Sequence, residues 1–105
     1  MSKIKIFTGG SGLLGSEMQK LFPTDLFPLS RDFNVENYEM MLSYITRNNL
    51  LVSDIIHMAA FISPPKINED PIRALSANII GTANIVKLCE KLDWLFLLYS
   101  HSVLL

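Results

Sequence analysis

Two rhythms of apolar and polar residues alternate along this chain. Lys3-Ile4-Lys5-Ile6-Phe7-Thr8 has the short period of a strand and runs straight into a glycine cluster. Leu14, Met18 and Leu21 then recur at helical spacing, with Glu17, Gln19 and Lys20 on the other side, and Pro23 ends that helix. Leu26-Phe27-Pro28-Leu29 predicts a weak second strand, which Pro28 pushes to a sheet edge, and Ser30-Arg31-Asp32-Phe33-Asn34 reads as a loop. Tyr38, Met41, Leu42 and Ile45 mark a second helix closed by Asn48 and Asn49. Asp54 to Ala60 is the third strand, followed by a loop carrying Pro64 and Pro65. Asp70-Pro71 is a cap and first turn, opening a helix that runs to about Leu92. Its expected buried face is Ile72, Leu75, Ile79, Ala83 and Val86, widened by Ile80 and Leu88. Trp94 to Ser100 is a continuous apolar strand of the kind buried in the middle of a parallel sheet. The order β-α-β-α-β-α-β predicts an α/β fold, a partial parallel sheet of about four strands with helices on both faces.

Composition narrows the function classes. The chain has 105 residues, half of them apolar, so residues 1–105 are expected to form one domain with a buried core. A net charge of −1, with no basic stripe, excludes nucleic acid and anionic membrane as main partners. The apolar run after Lys5 stops at Gly9, too short for a signal-peptide core, and Trp94–Tyr99 is far below a membrane span. A soluble, cytoplasmic protein is expected. The single cysteine, Cys89, cannot form an internal disulfide and reads as a small buried apolar residue. His57 and His101 have no cysteine or carboxylate partners at ligand spacing, so no metal site is expected.

The informative chemistry lies in Thr8-Gly9-Gly10-Ser11-Gly12-Leu13-Leu14-Gly15, which holds four of the five glycines. Gly10, Gly12 and Gly15 fit the spacing G-x-G-x-x-G, and Gly9, Gly12 and Gly15 fit G-x-x-G-x-x-G. The pattern follows a strand and opens a helix, as a dinucleotide site requires. Such glycines allow a tight turn and close approach of a pyrophosphate, whose charge the free amides of the helix start complement. No Gly-Lys-Ser/Thr follows, which excludes a P-loop. About twenty positions on, Asp32 is the candidate for the ribose hydroxyls, while Arg31 beside it suits a 2′-phosphate. The cofactor is therefore NAD or NADP.

The glycine loop resembles the T-G-x-x-G-x-x-G signature of the extended short-chain dehydrogenase/reductase family. Asp54-Ile55-Ile56-His57-Met58-Ala59-Ala60 is similar to that family's D-v-v-x-x-A-A strand, and Asn78-Ile79-Ile80-Gly81-Thr82-Ala83-Asn84 to its N-v-x-G-T-x-N segment. The short early stretch, with Arg31-Asp32-Phe33-Asn34 leading into a helix, looks most like the dTDP-4-dehydrorhamnose reductases within it, with nucleotide-sugar epimerases and GDP-fucose synthases close behind. The resemblance implies a Rossmann-type fold and hydride transfer between nicotinamide and a nucleotide-linked sugar. It puts Gly9, Gly12, Leu13 and Leu14 against the pyrophosphate and counts Gly15 among the cofactor-binding residues. Asp32 and Phe33 would flank the adenosine. Ala59, Ala60 and Phe61 would border the nicotinamide-side ribose, and Asn78 would order the adjoining strands or the cofactor.

The family's catalytic serine or threonine falls at Ser100, where it would orient the substrate carbonyl. Its tyrosine acid and the lysine that lowers the tyrosine pKa come from Tyr-x-x-x-Lys. Four residues after Tyr38, Tyr44 and Tyr99 stand Leu42, Asn48 and Val103, so that motif is absent from these 105 residues. The expectation is a truncated chain: the cofactor-binding front part of a nucleotide-sugar reductase, epimerase or dehydratase, not catalytically competent alone. A non-catalytic dinucleotide-binding or interaction module is the alternative. A half-sheet would expose apolar surface, so a homo-oligomer or self-association is expected.

Overall fold

A computed structural model describes residues 3–10, 13–58, 69–92 and 95–98. Its elements, in order, are β1 (Ile4–Thr8), α1 (Leu13–Leu21), α2 (Tyr38–Arg47), β2 (Val52–His57), α3 (Pro71–Leu92) and β3 (Leu95–Leu98). The three strands form one parallel sheet in the order β1-β2-β3. On the free side of β1, Leu26 makes a parallel bridge to Ile6. The chain thus leaves β1 toward Leu26, then returns past it to lay β2 on the opposite side.

The predicted strand at 26–29 shrinks to that single bridge. Leu26 N–H donates to Lys5 O at 3.0 Å, and Phe7 N–H donates to Leu26 O at 2.9 Å. Pro28, two residues on, has no N–H with which to continue the ladder. The Asp25 carboxylate extends the tether from the other end by accepting from Lys5 N–H at 2.8 Å. The third predicted strand begins two residues earlier than expected, at Val52.

The helix boundaries follow local chemistry. Asn37 caps α2 by accepting from Met40 N–H at 3.1 Å. At the other end Asn48 donates back to Tyr44 O through its backbone, and Asn49 takes the left-handed φ of 51° that asparagine tolerates. Asp70 caps α3 by accepting from Arg73 N–H at 3.0 Å, with Pro71 in the first turn as its sequence signals.

Because strand side chains alternate, Ile6 and Phe7 point to opposite faces, as do Ile55 and Ile56. Ile6, Val52 and Ile55 join Met41 and Ile45 of α2, Ile85, Leu88 and Cys89 of α3, and Phe33 in the main core. On the other face Phe7 stacks on Phe27 at 4.4 Å between ring centroids and meets Phe22, just beyond α1, at 5.2 Å. Helices therefore cover both faces, as expected.

The face of α3 that packs is not the expected one. Ile72, Leu75, Ile79, Ile80 and Val86 are exposed, Ile72 at 81%, whereas Ala74, Ala77, Gly81, Ile85, Leu88 and Cys89 are buried. The helix carries two parallel apolar stripes, and its small residues are the ones that allow close approach to the sheet and the 33–36 segment. Apolar spacing alone cannot choose between two such stripes. Cys89 is buried as expected, and burial together with the nearby Asp54 charge pushes its thiol up to about 11, which keeps it protonated.

Candidate functional site

The C-terminal end of β1 is where a ligand site belongs in such a sheet. The chain steps to one side of β1 at Leu26 and to the other at β2, and the crevice at that switch lies beyond the strand ends. A cavity of about 130 Å³ opens there, lined by Thr8, Gly9, Gly10, Pro28, Ser30, Phe33, Asn34, Val35, Glu36 and Ala77. Pockets that enclose a whole drug-sized ligand start near roughly 300 Å³, so this volume suits one end of a dinucleotide.

The glycine loop is built by three separate constraints. Gly9 has φ 74°, which side chains rarely adopt. A Cβ on Gly10 would lie 2.8 Å from Phe27 Cβ, and one on Gly15 would lie 2.5 Å from the Gly10 backbone. The start of α1 is thereby pressed onto the loop, and Gln19 Nε2 donates to Gly10 O at 3.0 Å to hold it. No acidic residue occupies the first turn of α1, so the positive end of its dipole is left for an anion. This cradle, too narrow for side chains, fits a dinucleotide pyrophosphate.

Below the loop lies a buried polar pair. Thr8 Oγ1 is 2.7 Å from His57 Nδ1 and accepts from Met58 N–H at 2.9 Å. The Thr8 hydroxyl and His57 Nδ1 share one hydrogen bond, with the ring buried and neutral. Burial lowers the His57 pKa to about 4. The pair ties the ends of β1 and β2 together beneath the loop.

Of the residues expected from sequence, Gly9 and Phe33 line the cavity. Gly15 is buried behind the loop, and Leu13 opens α1. Leu14 lines a separate apolar groove of about 310 Å³ with Lys5, Phe7, Met18, Phe22, Ile56 and Met58. Asp32 is exposed and lies outside the cavity lining, although it adjoins Phe33, which is 3% exposed. Asn78 is half-buried in α3, away from the lining. Gly12, Ala59, Ala60, Phe61 and Ser100 lie outside the described residues. The sequence reading missed Ser30, Asn34, Val35, Glu36 and Ala77. The only advance signal for Ala77 was the small-residue spacing Ala74, Ala77, Gly81 on α3. Among the described residues no three histidines, cysteines or carboxylates are grouped to hold a metal.

Residues 3–103 match the family described as RmlD substrate binding domain. The chain belongs to this family. Membership agrees with the resemblance to extended short-chain dehydrogenases/reductases carried by the three motifs. Among similar proteins is UDP-glucuronic acid decarboxylase 4 of Arabidopsis thaliana, 30% identical over 112 residues, covering 92% of this chain and 25% of that protein. The chain thus spans about a quarter of the length of this relative. L-threonine dehydrogenase from Phytophthora infestans superposes with a TM-score of 0.70 at 27% identity, over 91% of this chain and 35% of its own. A GDP-L-fucose synthetase from Naegleria fowleri bound to NADP superposes at 0.67 and 20% identity, over 89% and 29%, a likeness of fold. No helix among the described residues of this family member is long and apolar enough to cross a membrane.

Proposed function

We propose that this chain is the dinucleotide-binding part of an NAD(P)-dependent enzyme acting on a nucleotide-linked sugar. The observation that carries the reading is the loop at the end of β1. Gly9 turns it, Gly10 and Gly15 leave no room for side chains, and an α1 start without acidic residues faces it. NAD or NADP fits that cradle and would supply hydride chemistry when bound. The protein's own groups hold and orient: backbone amides at the α1 start take the pyrophosphate, and the wall made by Phe33 to Glu36 takes the adenosine end. Gly12, Leu13 and Leu14 belong to the same turn in this reading. Asp32 sits beside the wall for the ribose, Ala59, Ala60 and Phe61 border the nicotinamide side, Asn78 orders the neighbouring segment, and Ser100 orients a carbonyl.

The sugar-nucleotide class is supported by the decarboxylase and fucose-synthetase likenesses, and the short segment before α2 favours a dTDP-4-dehydrorhamnose reductase-like member. A cytoplasmic setting suits such substrates. The second reading is a dinucleotide-binding or interaction module without chemistry, which binding of NAD or NADP without turnover of a nucleotide-linked sugar by the whole protein would favour.

Calorimetric titration with NAD and with NADP tests the site, with Gly12→Val as control. Micromolar to sub-millimolar binding lost in the variant is expected, and no binding by the folded chain would sink the proposal. Catalytic competence is a separate question, read as reduction of a nucleotide-linked ketosugar.

Self-association is part of this reading. The exposed stripe Ile72, Leu75, Ile79 and Val86 spans most of a 22-residue helix, and a second copy is the occupant expected for the 105-residue chain. Light scattering should report a dimer or larger species that Leu75→Glu with Ile79→Glu reduces to monomer. A wild-type monomer at tens of micromolar would count against it.

A further inference from the structure

The wall of the cavity is not shaped by its own stretch of chain alone. Asn34 folds the turn locally, its Oδ1 accepting from Glu36 N–H at 2.9 Å. The turn is then fixed from α3, far along the sequence. Asn84 Nδ2 donates to Val35 O at 2.9 Å across 49 residues. Arg73 Nη1 meets Glu36 Oε2 at 2.7 Å. Ala77 lines the cavity itself, and a Cβ on Gly81 would lie 2.7 Å from Val35 Cγ2. Residues 73, 77, 81 and 84 recur every three or four positions, so they form one face of α3, three turns long.

We propose that Gly81 and Asn84 are positioning residues for the nucleotide end of the cofactor. They act through Val35, setting how far the Phe33–Glu36 wall stands from the glycine loop, and this assignment rests on the dinucleotide reading of the site. Glycine at 81 is what permits the distance. Valine is stiff at χ1 and packed between the helix and the cavity, so a methyl group on α3 displaces the wall rather than a free side-chain end. Asn84 then pins the wall through its hydrogen bond to Val35 O. The Arg73–Glu36 pair is half in solvent on its arginine side, so it adds less to the fixing than the two inner contacts.

The assignment separates from ordinary stability because alanine is a better helix former than glycine. Gly81→Ala therefore favours α3 while disturbing the wall. Titrations of NAD and ADP into the 105-residue chain would compare wild type, Gly81→Ala, Val35→Ala, Gly81→Ala with Val35→Ala, and Asn84→Asp, with circular dichroism to verify folding. Gly81→Ala should weaken both ligands about tenfold or more, since overpacking by one methyl group is being forced on the site. Removing the Val35 methyl groups in the double variant should restore affinity to within about threefold, because the collision is then gone. Asn84→Asp keeps the size, loses the donor, and should also weaken ADP. If wild type binds the ligands and Gly81→Ala and Asn84→Asp bind as wild type does, the assignment falls and the dinucleotide site stands. A loss in Gly81→Ala that Val35→Ala fails to rescue also overturns it. A folded wild type that binds neither NAD nor NADP overturns the site reading, and this assignment with it.

Discussion

Gly15→Ala is expected to abolish measurable dinucleotide binding and to destabilise the fold by about 2–3 kcal/mol, the upper part of the range for forced overpacking. The new methyl group would sit 2.5 Å from Cα, C and O of Gly10, all of them backbone atoms that cannot swing aside. Relief can come only by lifting the start of α1 off the loop or by pushing the loop toward Phe27. A Cβ on Gly10 would already collide with Phe27, so the second route drives the loop toward that side chain. Lifting α1 draws its amides away from the place a pyrophosphate would take and breaks the bond from Gln19 to Gly10 O. Urea unfolding gives the stability change, and titration with NAD gives the affinity. Wild-type values for both would mean that the loop and helix are not in the contact described.

The second large effect is in the pH dependence of stability. His57 has an ordinary pKa of 6.5 and is lowered to about 4 by burial, so the folded state holds the ring neutral where the unfolded state takes a proton. Its contribution is complete above pH 6.5 and is lost as pH falls from 6.5 toward 4. Between pH 7.5 and pH 4.5 the loss is about 2–3 kcal/mol by linkage. Carboxylates titrate in part of that window, so the measurement is the difference between wild type and His57→Asn across a pH series in urea. The asparagine amide can donate to or accept from the Thr8 hydroxyl and has no proton to gain. The wild-type profile should be steeper by about the stated amount. Parallel profiles would show that His57 does not titrate with unfolding.

Much of this architecture could be read in advance because its causes are local. A glycine cluster after a β-rich hexamer, a capping aspartate before proline, and paired asparagines after an apolar stripe each act within a few residues. The same holds for Pro28, which marked an edge correctly but left only Leu26 to occupy it. What could not be read depends on partners distant in sequence. The two apolar stripes of α3 are equivalent until the sheet selects the one with Ala74, Ala77 and Gly81. The cavity wall is likewise invisible beforehand, since Val35 meets Asn84 only in the folded chain. Asp32 was named and Phe33 with it, yet the turn in which both N–H groups reach Leu29 O sends one outward and the other inward.

The place of β1 between Leu26 and β2 also governs the schedule on which the protein can form. β1 is made before both of its neighbours, Leu26 and β2, and β2 ends at His57. Emerging from the ribosome at about 5–20 residues per second, the nascent chain carries β1 for several seconds with one edge unmatched. Its apolar Ile6 and Phe7 are then open to any passing strand or chaperone. Variants that slow the arrival or pairing of residues 52–57 should therefore lower soluble yield more than their effect on the finished protein would suggest.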